Sequence, residues 1–503
     1  MPLDPSFASL PLDVLADAAI DRATGLGASH VDVRVERTRS RHLSLRDCVL
    51  SGMHDGEDVG VAVRVVLDGT WGFASTVDLT PEAARQAAET AVTVATMSRP
   101  LTKRRIELAD EPAWRGTWVA PYALDPFDVR VSDAIAVLAD YSERVLAHRA
   151  VTHVTATLDA VRENAFYADS AGARTLQQRV RVAPVLEALG VDPDAGSFDT
   201  MRSLAAPVGR GFEYVTGEDG VHDWDAELGE LGDLLAERMA APSLPAGRYD
   251  LVIEPSNLWL TIHESVGHAT ELDRALGYEA NYAGTSFATP DRLGSLRYGS
   301  ELMNVTGDRT VPFGLATVAW DHEGVQAQQW DIVRDGVLVG YQLDRASATL
   351  LPGGPGRSNG CAYADSPSHI AIQRMANVSL MPGQDDRSAA DLIGDVTDGL
   401  YVVGDKSWSI DQQRYNFQFT AQRFYRIRDG ELAGQVKDVA YQGRTPDFWA
   451  GLAALGGVRT WVLGGAVNCG KAQPGQAAPV SHGAPTALFR DVNVLSTLEE
   501  GSS

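Results

Sequence analysis

Two histidines five positions apart, in the run His263-Glu264-Ser265-Val266-Gly267-His268, restrict the backbone of this chain more than any other feature. The spacing is one residue longer than the H-E-x-x-H of common zinc proteases. Each residue of an α-helix turns about 100°, so positions five apart point about 140° away from each other. On a regular helix the two imidazoles could not reach one ion. A local π-turn brings positions i and i+5 into register, and such turns gather at functional sites. Gly267 sits where a backbone distortion is least hindered. A helix that simply ends at Gly267 is the alternative. Two imidazoles beside a carboxylate suit metal-assisted hydrolysis. The imidazoles hold the ion, and Glu264 takes a proton from water.

A catalytic zinc needs a third protein ligand. Glu271 and Asp273 are close in sequence. Cys469, in Trp461-Val462-Leu463-Gly464-Gly465-Ala466-Val467-Asn468-Cys469-Gly470-Lys471, is distant but ends an apolar strand-like run. A thiolate is a soft donor for zinc, and Lys471 is placed to favour the ionised thiol. The same stretch fits G-x-x-x-x-G-K, the phosphate-cradling pattern, but Ala472 stands where a magnesium-binding Ser or Thr belongs. The following Gln473-Pro474-Gly475 does not begin a helix easily, so no nucleotide cofactor is expected.

Residues 263–287, beginning at His263 and running through Glu271, Asp273, Tyr278, Asn281 and Phe287, resemble the signature of the TldD/PmbA peptidases, once called modulators of DNA gyrase. The likeness is to the TldD branch, which keeps the metal motif that the TldE/PmbA branch lacks. Met303-Asn304-Val305-Thr306-Gly307-Asp308, Ser358-Asn359-Gly360-Cys361 and Asn468-Cys469-Gly470-Lys471 agree with that branch. Val59 to Arg64 and Gly69 to Ala74 extend a weaker likeness to the N-terminal half. The resemblance implies zinc held by His263, His268 and Cys469, with Glu264 as general base. It implies a peptidase acting on short or unfolded peptides inside a dimeric assembly, with a TldE/PmbA-type partner subunit or a second copy. Ser407 to Gln413 departs from the Gly-rich stretch of many relatives, which bears on the shape of the substrate cleft. A non-catalytic peptide-binding scaffold subunit of a protease complex is the competing class.

The net charge of −24 argues against a phosphate-backbone binder or an anionic membrane surface. No apolar run is long enough to span a bilayer. Met1 to Ser6 lacks the regions of a signal peptide. Three cysteines, Cys48, Cys361 and Cys469, give no disulfide framework and suit the cytoplasm.

The pattern predicts helices over 11–26, Thr80–Met97, Asp133–His148 and Trp224–Met239. It predicts a half-buried strand with Asp32, Arg34 and Glu36 on its polar face, and a hairpin turning at Asp68-Gly69. Long strands occupy 152–189. A Pro-rich break at Ala240–Gly247 divides an N-terminal α+β domain, 1–240, from a strand-rich C-terminal domain, 248–503, that carries the metal motif. From 311 onward, turns are expected at Asp335-Gly336, Asp398-Gly399 and Asp429-Gly430. Pro352 to Gly360 reads as a surface loop. Helices and strands do not alternate strictly, so the fold class is α+β.

Overall fold

A computed structural model describes residues 3–194 and 196–500 of the chain; Met1 and Pro2 of the N-terminal segment lie outside them. The alternating valines at the start of the chain build the first sheet. Val31, Val33, Val35, Val61, Val63 and Val65 all point to one face and are fully buried there. The helices Leu12–Gly25 and Pro81–Ser98 cover that face. Thr80 caps the second helix, its hydroxyl accepting from the Ala83 amide at 3.3 Å. The sheet has seven strands. The order is Thr70–Thr76, Val49–Leu67, His30–Arg46, His153–Asp169, Arg174–Asp192 and Arg115–Val119, with Ser197–Arg202 also on Arg174–Asp192. Asp68 and Gly69 both take positive φ (51° and 74°), the geometry of a tight hairpin turn. The helices Val131–Leu146 and Trp224–Ala240 close a second core around Leu138, Leu186 and Leu231.

The polar face of this sheet is buried too, contrary to the half-buried strand read from the sequence. Asp32, Arg34 and Glu36 are 1%, 3% and 5% exposed. The reason lies about 290 residues away. Arg64 bonds both Asp32 (2.9 Å) and Glu323 (2.9 Å), and Arg34 bonds Glu36 (2.8 Å) and the His369 carbonyl. The second half of the chain therefore packs on this face through paired charges. Burial alone would raise the Asp32 pKa, but Arg64 holds it down at about 2.

The second large sheet runs Asp398–Ile410, Gly247–Ile253, Ala487–Ser496, Val439–Arg444 and Asn416–Arg428. Asn416–Arg428 also pairs with Asp398–Ile410, so these five strands form a closed ring. Leu251, Ile253, Leu400, Val402, Phe419 and Phe489 belong to the largest core. Closure explains one departure from the sequence reading. Asp398-Gly399 begins a strand instead of turning, because Gly399 pairs with both Asp250 and Ile427. A side chain there would come within 2.4 Å of the Asp250 carbonyl. Asp335-Gly336 and Asp429-Gly430 do turn, each with positive φ at both residues.

The strand Gly247–Ile253 runs directly into the helix Pro255–Ile262, capped by Glu254. Asn257 fastens that helix to the ring by donating to the carbonyls of Gly404 (3.0 Å) and Thr420 (3.1 Å). The metal motif is the continuation of this helix.

Candidate metal centre

The helix changes pitch at the motif. His263–Gly267 form a π-helix, with the His268 amide bonded back to the His263 carbonyl five residues earlier, and His268–Thr270 then tighten into a 3-10 turn. The extra residue is absorbed as a wide turn, and both imidazoles come to one side, their ring centroids 4.7 Å apart. Gly267 has ordinary helical angles, φ −53° and ψ −63°. Its contribution is room. A side chain there would meet the Met375 sulfur at 2.6 Å and the His482 ring at 3.6 Å.

Cys469 arrives from the strand Val462–Ala472, which pairs with Gly475–Ala484 in a two-stranded sheet. Its sulfur lies 3.6 Å from His268 Nε2. Donor atoms of His263, His268 and Cys469 all lie within 4.8 Å of one another, and the three residues are 5%, 6% and 5% exposed.

The surroundings set which ring nitrogens are available. The His482 Nδ1–H donates to the Val378 carbonyl at 2.8 Å, leaving Nε2 of His482 as an acceptor. His263 Nδ1 stands 2.7 Å from that nitrogen and donates to it. This proton assignment follows from the hydrogen-bond network. The lone pair of His263 is therefore on Nε2. His268 Nδ1 donates to Glu271 at 2.8 Å, which leaves its Nε2 bare on the side of the thiol. Burial keeps all three rings neutral: it drives the His263 pKa far down, that of His268 to about 3 and that of His482 to about 4. Neutral imidazoles with outward Nε2 lone pairs, fixed by partners on Nδ1, are the arrangement that metal-ligating histidines adopt.

Glu271 and Asp273, the sequence-adjacent alternatives for a third ligand, are engaged elsewhere. One Glu271 oxygen accepts from the His268 Nδ1–H and the other accepts from Lys471 Nζ at 3.1 Å. Asp273 pairs with Lys471 at 2.8 Å. Burial opposes the charge of Glu271, but Lys471 and His268 hold its carboxyl well below the usual range. Lys471 is thus spent on these carboxylates and the Gln373 carbonyl, and it does not serve the thiol as the sequence suggested. Burial pushes the Cys469 thiol up to about 12, opposed by Arg374, whose guanidinium bonds the Cys469 carbonyl. Gly465 to Lys471 is extended strand and not a phosphate-binding loop. The donor set fits zinc: two imidazoles and one sulfur, converging on one side, with the Arg374 guanidinium favouring the thiolate.

Glu264 is 5% exposed and bonded to Arg414, which comes from the turn Asp411–Tyr415. Burial raises its pKa and Arg414 works against that. His482, Arg414 and Arg374 were not singled out from the sequence. No spacing rule points to them, because they join the motif from strands and turns more than 100 residues away. The stretches 303–308 and 358–361 support the site from behind. Val305–Asp308 pairs with Asn377–Leu380, whose Val378 anchors His482. Ser358 and Asn359 are buried, correcting the view of 352–360 as purely surface loop. They bond the backbone of Tyr341 and Leu343, and the intervening Gln342 donates to the Gly267 carbonyl at 2.7 Å.

Substituting His482 tests this relay. His482→Ala removes the acceptor that fixes the His263 tautomer, and zinc affinity is expected to fall about 10–100-fold with the fold retained. Competition with a chromogenic zinc chelator measures it. Unchanged affinity in this variant would show that the relay does not orient His263.

Comparison with known proteins gives one direction. Residues 246–496 match the PmbA/TldA metallopeptidase C-terminal domain, and residues 31–95 match domain 1 of the same family. The chain is 30% identical over 472 residues to a protein named "Metalloprotease" from Methanothermobacter thermautotrophicus, covering 93% of this chain and 96% of that one. It is 21% identical to the "Zinc metalloprotease TldD homolog" of Saccharolobus solfataricus, covering 94% and 98%. Its fold is similar to the crystal structure of TldE from Thermococcus kodakarensis, with a TM-score of 0.70 at 17% identity over 95% of this chain and 98% of that one.

Proposed function

Because this chain belongs to the PmbA/TldD metallopeptidase family, we propose that it is a zinc-dependent peptidase that hydrolyses short or unfolded peptides. The observation that carries this reading is the convergence of His263, His268 and Cys469 beside the carboxylate of Glu264. His263 and His268 would hold the metal through Nε2 and Cys469 through its thiolate. A zinc ion there would lower the pKa of a bound water toward neutrality and polarise a carbonyl as a Lewis acid. Glu264 takes the proton as water attacks the peptide carbonyl, and hands it to the leaving amine. His482 and Glu271 keep the two imidazoles oriented. Glu271 also takes up part of the positive charge of the site.

The strand Val462–Ala472 has one paired edge among the described residues. Its other edge passes Cys469, and we read it as the place where an extended peptide adds by main-chain hydrogen bonds, with little sequence selectivity. The active assembly is a dimer, with a TldE/PmbA-type subunit or a second copy of this chain. Residues 1–240 and 248–503 form its two domains, and it works in the cytoplasm. Its three cysteines are free, and no helix among the described residues is long and apolar enough to cross a membrane.

The test is cleavage by the purified protein, supplied with its partner subunit if one co-purifies. Short peptides should be cut, a chelator should stop cutting, and zinc should restore it. Groups only 5–6% exposed cannot meet the backbone of a compact domain, and unfolding one costs about 5–15 kcal/mol. Denatured and native forms of one test protein, incubated side by side, should therefore differ, with only the denatured form cut. Equal cleavage of both forms would refute the restriction to unfolded chains. Zinc binding without any cleavage would favour the scaffold reading.

A further inference from the structure

Four cations lie around the candidate metal centre, and three of them bond only carboxylates and carbonyls of the surrounding structure. Lys471 binds Glu271 and Asp273. Arg374 donates to the carbonyls of Cys469 and Gln476. Arg274 donates to the carbonyls of Ala283 (2.8 Å) and Thr285 (3.4 Å). Arg414 differs. Its one side-chain hydrogen bond among the described residues runs from Nη1 to Glu264. Its Nε–H is buried without a partner, as are those of Arg274 and Arg374, but its side chain is 14% exposed against 2% for Arg274, and no bond engages its Nη2 among the described residues. The charge of Arg414 lies close enough to act on His263, His268 and Cys469.

The backbone is built to send this side chain inward. Arg414 holds a left-handed conformation, φ 63°, which a long side chain rarely adopts. The Asp411 carboxylate makes that turn rigid by accepting from the amides of Gln413 (3.1 Å), Tyr415 (2.8 Å) and Asn416 (3.1 Å). Thr445 clamps the Arg414 carbonyl at 2.7 Å. The amides of Thr285 and Phe287 fasten Gln412 and Gln413 from the other side, both at 3.0 Å. Strain held this tightly beside a candidate site points to a role for the residue it orients.

We propose that Arg414 is a catalytic residue whose free Nη2 binds the main-chain carbonyl oxygen of the scissile bond and stabilises the negative charge that develops there. The proposal rests on the peptidase reading. As the oxygen of water bonds to the carbonyl carbon, the C=O π pair moves onto the carbonyl oxygen and Glu264 takes the proton. When that pair returns, the C–N bond breaks and the proton passes to the amine nitrogen. The charged Nη2 offers an N–H to such an oxygen, already in place before charge appears. The bond from Nη1 to Glu264 meanwhile keeps the base next to the same carbonyl.

The test uses a peptide blocked at both ends and the zinc-loaded proteins. R414Q and R414N are both made, because Asn tolerates the left-handed backbone better. Each is expected to keep zinc and lose about 10²–10³-fold in kcat, with KM within about threefold. The second readout is binding of a phosphinic peptide, whose tetrahedral centre imitates the developing oxyanion. In an E264Q background, adding R414Q should weaken that binding by about 10²-fold. Equal affinity with and without Arg414 would show that it acts only through Glu264. A rise in KM alone, or a defect confined to peptides with a free terminal carboxylate, would assign it to ground-state binding and overturn the proposal. Loss of zinc from both single variants would make it a structural support and overturn it as well. Full cleavage by R414Q refutes the role of Arg414 alone. A zinc-loaded wild type that cleaves nothing refutes the peptidase reading and this proposal together.

Discussion

Proteins carrying His263→Ala or His268→Ala are expected to purify without zinc and without peptidase activity, against about one zinc per chain in the wild type. The two imidazoles meet edge to face, each with a donor nitrogen within 4.8 Å of the Cys469 sulfur, and removing either leaves only one nitrogen and one sulfur donor. Cys469→Ser should cut zinc affinity sharply, because a neutral hydroxyl is a far poorer ligand than a thiolate. Cys48→Ser and Cys361→Ser should leave the metal in place. Cys361 is buried beside the Arg374 amide, which bonds its carbonyl, and its thiol is not among the converging donors. Metal analysis after exhaustive dialysis decides the histidines. X-ray absorption on the wild type should show one sulfur at about 2.3 Å with nitrogen neighbours. A spectrum lacking a sulfur shell removes Cys469 from the site, and full zinc in either histidine variant removes that histidine.

Glu264→Gln should separate chemistry from metal binding. Glutamine keeps the length and can still accept from Arg414, so the π-turn and the zinc are expected to survive. What is lost is a group that can take a proton, and kcat should fall at least about 10²-fold. The informative comparison is zinc content and rate on the same preparation. A variant that loses zinc along with activity would show that Glu264 supports or ligates the metal. One that keeps both would require another base. The ion pair with Arg414 makes Glu264→Ala the less clean variant, since it strands a buried guanidinium.

Much of the fold was readable because it rests on local periodicity and turn chemistry. The alternating valines of 31–35 and 61–65, the cap at Thr80 with Pro81, and the Asp-Gly turns at 68–69, 335–336 and 429–430 act over a few residues each, and the structure forms them where the sequence indicated. The five-residue spacing of His263 and His268 likewise excluded a regular helix through the motif, since one would have turned the rings apart. Other features depend on what the chain meets at long range. Asp398-Gly399 reads as a turn by composition, but the closing of the five-stranded ring makes it a strand where only glycine fits against Asp250. Asp32, Arg34 and Glu36 read as solvent-facing, but Arg64, His322 and Glu323 bury them as paired charges.

The candidate site divides in the same way. The sequence by itself determined the motif, the choice between a π-turn and a helix ending at Gly267, and the short set of donors that included Cys469; the structure takes the π-turn. Only the tertiary structure decided that Lys471 serves Glu271 and Asp273, and that His482 and Glu271 orient the two imidazoles. It also decided that Gly267 contributes space and that Arg414 points at Glu264. Apart from the bond between His268 and Glu271, which spans three residues, each of these depends on a contact between segments more than 100 residues apart. Such contacts are settled by the packing of the whole molecule, and no local pattern of residues encodes them.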